Sequence, residues 1–140
     1  MTVILAALCF LIIPFCLGDV PCNRKNQNII EQKWPRGIVP YLFDPVAQFS
    51  KAEKLVVEQA MERLMSYSGC VTFTEISVGQ GGDRVVVTSR GLGETQGQGC
   101  WAHAGRQGGE QALNLDEGCV ILQEVEHQLF KVLGIRLIDS

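Results

Sequence analysis

Basic runs, internal repeats and low-complexity tracts are all missing from this chain, and so is any C-x-x-C pair. The lack of basic runs, with a formal net charge of -3, excludes the electrostatic footprint of a nucleic-acid binder. The missing C-x-x-C spacing excludes the usual thiol arrangement of a structural zinc knuckle or a redox centre. Histidine is scarce: His103 and His127 are the two in the chain. Without a third ligand, two histidines make a poor zinc site. Charged side chains are absent from residues 1–17, which run Val3-Ile4-Leu5-Ala6-Ala7-Leu8-Cys9-Phe10-Leu11-Ile12-Ile13-Pro14-Phe15-Cys16-Leu17 and end at Gly18-Asp19. Such a run, too short for a membrane span of about 20 apolar residues, reads as a secretory signal peptide over 1–18. No other stretch is long enough to cross a membrane, so the mature chain is expected to be secreted, extracellular and free of the membrane.

What is present fits one folded domain. The 140 residues are 46% hydrophobic and 19% charged, the balance of an ordinary folded protein. Residues 19–33, with Cys22, form a polar leader remnant or flexible tail, and the domain is expected over 34–140. Loss of Cys9 and Cys16 with the signal leaves Cys22, Cys70, Cys100 and Cys119. An even set in an exported chain implies disulfides, with three possible connectivities.

Along the domain, Ile38 to Phe43 reads as a strand that Pro40 demotes to a sheet edge or to the strand's start. Ser50 and Glu53 make a capping box ahead of a helix of about 16 residues, whose apolar positions Val57, Ala60, Met61, Leu64 and Met65 share one face. Gly69-Cys70 ends it. Val71 to Ile76 alternates as a strand, and Arg84 to Thr88 is an apolar run typical of a central strand. The glycines between Gly91 and Gly99 lack the Lys-Ser/Thr and helix start of a phosphate cradle. Trp101–Ala104 and Gln111–Leu115 read as short strands. Val120 to Leu133 reads as a last helix stopped by Gly134. On it Ile121, Val125, Leu129, Val132 and Leu133 are expected to face the core, with His127 and Lys131 together on the opposite side.

That last helix carries His127-Gln128-Leu129-Phe130-Lys131-Val132-Leu133-Gly134-Ile135-Arg136-Leu137. It is similar to the zinc-protease pattern H-E-x-x-H-x-x-G-x-x-H, in which two histidines one turn apart hold Zn²⁺ and the glutamate activates the metal-bound water. His127 and Gly134 match. Gln128 replaces the glutamate and is not a proton acceptor at ordinary pH. Lys131 replaces the second histidine with an ammonium that repels a dication, and Leu137 replaces the third histidine with a side chain that has no lone pair.

The segment Gly99-Cys100-Trp101-Ala102-His103-Ala104-Gly105-Arg106-Gln107-Gly108-Gly109-Glu110-Gln111-Ala112-Leu113-Asn114-Leu115-Asp116-Glu117-Gly118-Cys119 closely resembles the GCWxxxGRxGGxQxLxLxxGC stretch of the astacin family of secreted zinc endopeptidases. Lys33-Trp34-Pro35-Arg36-Gly37-Ile38-Val39-Pro40-Tyr41, Gly69-Cys70-Val71-Thr72-Phe73 and Leu133-Gly134 extend the resemblance over about residues 30 to 136. Leu17-Gly18-Asp19-Val20 faintly resembles the family's inhibitory propeptide motif. The resemblance implies an α+β fold: a zincin-like N-terminal subdomain with a twisted mixed sheet and two helices. It implies that the C-terminal subdomain is absent from a chain ending at Ser140. It also implies a Cys100–Cys119 disulfide and a substrate cleft along the Trp101 edge strand. For the site it implies His127 as the one retained zinc-ligand position and Gln128 at the general-base position. Zinc is the family's cofactor and is not expected to bind here. The expected function is therefore that of a catalytically inactive, astacin-like pseudoprotease. Two other readings stand beside it. One is a truncated product of a metalloendopeptidase gene. The other is a module that binds an extended peptide or protein partner by adding it to the edge strand.

Overall fold

The structure is a computed structural model that describes residues 33–92 and 98–135. The signal and leader readings, Cys22 and Leu137 therefore lie outside the described residues. Among those described, no helix is long and apolar enough to cross a membrane.

The β-branched and aromatic runs form strands, and the capped periodic runs form helices. A single-turn 3-10 helix at Pro35–Gly37 leads into β1 (Ile38–Phe43), α1 (Lys51–Ser68), β2 (Thr72–Glu75), β3 (Arg84–Thr88), β4 (Cys100–Ala102), β5 (Glu110–Leu115) and α2 (Leu122–Val132). The five strands make one mixed sheet in the order β2-β1-β3-β5-β4. Only the β4–β5 pair is antiparallel. With two helices beside it, this is the α+β arrangement that the resemblance implies.

Of the two places that Pro40 allowed, a sheet edge or the strand's start, the structure rejects the edge. β1 is internal, paired to β2 on one side and β3 on the other. The proline is tolerated because the β3 ladder starts one residue later, at Tyr41 opposite Val85. The Asp44 N–H donates to the Val87 carbonyl on the β3 side, and strand alternation points the Pro40 nitrogen the same way. Its missing donor therefore falls where the ladder has not yet begun, so Pro40 marks the end of a pairing rather than the edge of the sheet.

Alternation sorts the side chains between two faces. Val39, Tyr41, Phe43, Val85, Val87, Leu113 and Leu115 join Val57, Ala60, Met61 and Leu64 of α1 and Val125, Leu129 and Val132 of α2 in one core. Both helices thus pack on the same face of the sheet. The α1 capping box forms as the sequence indicates. Ser50 Oγ accepts the Glu53 N–H at 3.1 Å, and Glu53 Oε1 accepts the Ser50 N–H at 2.9 Å. Arg63 and Glu126 form an ion pair between the two helices at 2.9 Å.

Five hydrogen bonds hold the segments around the last helix, one of them made to the helix itself. The Trp34 indole, 1% exposed, donates to the Val132 carbonyl at 2.8 Å, across 98 positions of sequence. It arrives there because the chain turns at Arg36 and Gly37, which have φ of 57° and 70°. A Cβ at Gly37 would lie 2.1 Å from the Cys70 carbonyl oxygen, so that position accepts only glycine. Arg106 donates to the Lys33 carbonyl at 2.7 Å and to Asp83 Oδ2 at 2.7 Å. Asn114 fastens both ends of the glycine-rich loop, accepting the Gly91 N–H at 3.0 Å and donating to the Gly99 carbonyl at 2.8 Å.

Two carboxylates make the fold acid-sensitive. Burial opposes the charge on Asp44, but the Thr88 hydroxyl, the Val46 N–H and Arg90 together outweigh it and hold the carboxyl below its usual range. The Gly109 N–H, and then Arg106, do the same for Asp83. A depressed carboxyl contributes stability above its unfolded value, about 3.9, and loses it as pH falls through the folded value. Thermal melts should therefore show stability falling below about pH 4. Asp83→Asn should lower the melting temperature at pH 7 more than at pH 3, and an equal loss at both would remove the assignment.

Trp34→Phe keeps a ring but leaves the Val132 carbonyl without its buried donor. Urea unfolding should report a loss of about 2 kcal/mol. A loss below about 0.5 kcal/mol would show that the bond contributes little.

Candidate functional site

The site is the junction of α2 with the edge strand β4. The sequence sets the C-terminal end of α2 through Gly134, whose φ of 81° is a left-handed value that glycine adopts freely. The turn it makes is a Schellman motif: the Gly134 N–H donates to the Lys131 carbonyl at 2.9 Å and the Ile135 N–H to the Phe130 carbonyl at 3.0 Å. The Gly105 N–H adds a second bond to the Lys131 carbonyl at 2.8 Å. With Trp34 on Val132, the carbonyls of three successive residues at this helix end have donors.

β4 is held to α2 from its first residue. Cys100 is bonded to Cys119, with a Cα–Cα distance of 5.6 Å and a sequence separation of 19. This is the pairing that the resemblance implies, and closing a loop of this length is worth roughly 3 kcal/mol. Cys70 is disulfide-bonded as well. The Cys100 carbonyl accepts a hydrogen bond from Gln128 Nε2 at 3.2 Å, and the same nitrogen donates to Glu124 Oε1 at 2.8 Å.

Gln128 is where the sequence reading of α2 fails. Ile121 is not on the core stripe: it is the residue before the helix and is 59% exposed. Gln128 is on the stripe and is 1% exposed, lying three residues after Val125 and four before Val132. The helical period carried that signal, but a polar residue type hid it, because an amide counts against burial unless its partners are known. His127 and Lys131 are both half-buried rather than on an open face. His103 follows the end of β4, also half-buried, with its ring edge-to-face against Trp101 at a centroid distance of 5.5 Å.

The side chains at the zinc-protease positions do not fit zinc. His127 offers one imidazole. The Gln128 amide turns its nitrogen to Glu124 and Cys100, and Lys131 brings a cation one helical turn from His127. Among the described residues, no three histidine, cysteine, aspartate or glutamate side chains are grouped to hold a metal ion. With a neutral amide in place of a carboxylate, the position has no base to take a proton from water.

The family model of the astacin peptidases matches residues 26–137. The zinc metalloproteinase nas-36 of Caenorhabditis elegans is 29% identical over 116 residues, covering 81% of this chain and 17% of that protein. The zinc metalloproteinase nas-8 of Steinernema carpocapsae is 27% identical over 112 residues, covering 80% of this chain and 24% of that protein. Among solved structures, high choriolytic enzyme 1, a hatching enzyme zinc-protease from Oryzias latipes, superposes with a TM-score of 0.54 at 27% identity. That superposition covers 71% of this chain and 44% of the enzyme. The chain thus spans less than half the length of each of these proteins. With the family match covering most of the chain, and with the sheet, the two helices and the glycine-terminated helix end all in place, the chain belongs to the astacin family of peptidases.

Proposed function

We propose that this chain is a secreted astacin-family protein that does not perform peptide hydrolysis. The observation that carries the reading is the state of Gln128. The residue at the general-base position is a buried amide whose nitrogen is engaged by Cys100 and Glu124. Zinc, when bound in the family, supplies an activated water and polarises the scissile carbonyl. Here Lys131 opposes a dication at the second ligand position, and Gln128 takes no proton. Export is supported by the apolar first 17 residues and by the oxidised Cys100–Cys119 pair.

The sheet supports a second reading, that the chain binds extended peptide or a protein partner. β4 is the last strand in the sheet order, and among the described residues it pairs only with β5. Apart from the Cys100 carbonyl, which Gln128 occupies, its outer backbone groups are then available to an added strand. Trp101 and His103, stacked edge-to-face beside it, are side chains such a strand would meet.

Metal analysis of the purified chain, run beside turnover of a generic unfolded protein, tests the principal reading. The expected result is zinc well below one ion per chain and no chelator-sensitive cleavage. Loss of a general base alone is commonly worth about 10² to 10⁴-fold, and loss of the metal removes the nucleophile as well. One tightly held zinc with chelator-sensitive cleavage would overturn the reading.

A further inference from the structure

We propose that Gln128 is a structural brace between α2 and β4, and that Glu124 locks the general-base position as an amide. This deepens the non-peptidase reading and rests on it for its meaning, while its physical basis is separate.

The Gln128 nitrogen faces two groups that only accept: the Cys100 carbonyl at 3.2 Å and the Glu124 carboxylate at 2.8 Å. Two acceptors fix which end of the amide points at them, because the oxygen would be repelled by both. Gln128 Oε1, on the other side, is buried without a hydrogen-bond partner. The site is therefore short of donors and already full of acceptors.

A glutamate at this position would place an ionised carboxyl, itself acceptor-only, against that same carbonyl and that same carboxylate. Compensation from the surrounding elements is limited. β4 contributes Cys100, Trp101 and Ala102, none of them charged. Two cations on the neighbouring elements are already matched, Arg63 with Glu126 and Arg84 with Glu110. His127 and Lys131 share α2 with Gln128, yet neither gives Gln128 Oε1 a hydrogen bond. A buried carboxylate facing a like charge and a carbonyl, with the half-buried Lys131 three residues later as the one cation beside it on the helix, is a costly change for a core. The base position therefore regains a carboxylate only at a cost in stability while Glu124 stands one turn before it. The amide does what a carboxylate could not: one of its N–H groups ties the edge strand, through the backbone of the disulfide-bonded Cys100, to the helix, while the other is held within the helix by Glu124.

A charge exchange within the pair tests the lock. Thermal melts would compare the unmodified chain with Gln128→Met, Gln128→Glu and the double variant Glu124→Gln/Gln128→Glu. Gln128→Glu should melt lower by roughly 5 to 15 °C, and Gln128→Met, which removes the donors without adding charge, by less. The double variant should recover at least half of the Gln128→Glu loss. In it the amide now on the first turn can donate to the carboxylate one turn later, although the Cys100 carbonyl still lacks its donor. A Gln128→Glu melt equal to that of the unmodified chain, or a double variant no better than Gln128→Glu, would overturn the lock. If Gln128→Glu gives no folded protein, a folded double variant supports the lock. An unfolded one beside a folded Gln128→Met overturns it. These melts are independent of zinc content and turnover, so failure of the lock and failure of the non-peptidase reading give different results.

Discussion

The hydrogen bond from the Trp34 indole to the Val132 carbonyl is the contact through which the start of the domain governs its end. A helix leaves its last carbonyls without partners, and in a buried setting each one must be met. Here Trp34, Gly105, Gly134 and Ile135 supply the donors. Two of those donors come from segments distant in sequence. The Pro35–Gly37 turn, the closeness of Gly37 to the Cys70 carbonyl and the Arg106 bond to the Lys33 carbonyl all serve to hold the indole in place. Without that convergence α2 would have no fixed depth against the sheet, and the side chains on it would have no fixed geometry.

Much of the fold was legible because local chemistry and tertiary context agree. Ser50 with Glu53 announced the start of α1, Gly134 announced the end of α2, and the run Arg84 to Thr88 proved to be a strand paired on both sides. The edge placement that Pro40 allowed fails because strand rules treat a missing donor as a property of a whole strand, whereas the two sides of one strand can end at different residues. The helix boundary moved from Val120 to Leu122 because Val120 and Ile121, though apolar, belong to the approach from Cys119; Ile121 is extended, not helical. The match of His127 and Gly134 to the zinc-protease pattern was readable once the neighbouring segments carried the resemblance. The partners of Gln128 were not, because one lies on another element and the other is an acidic residue whose orientation no periodicity reports.

Chemically, the helix keeps the frame of a zinc-protease site while the groups within it serve other ends. Gly134 still turns the chain, Trp34 and Gly105 still cap the helix, and Cys100 still anchors the edge strand. Gln128 is part of the packing between helix and sheet. The Gln128 amide is buried, directed and engaged at its nitrogen. The orphaned oxygen on its far side records that the arrangement is serviceable rather than ideal.

The sequence distance spanned by the Trp34–Val132 bond also has a consequence in time. Local pairs such as Ser50 and Glu53 can close as soon as their few residues are free, but Trp34 has to wait for a partner 98 positions further on. At a synthesis rate of about 5 to 20 residues per second, that wait lasts roughly 5 to 20 seconds. Throughout it, the indole N–H lacks the carbonyl that it meets in the finished fold. The nascent chain thus carries this donor without its acceptor until the last helix has emerged.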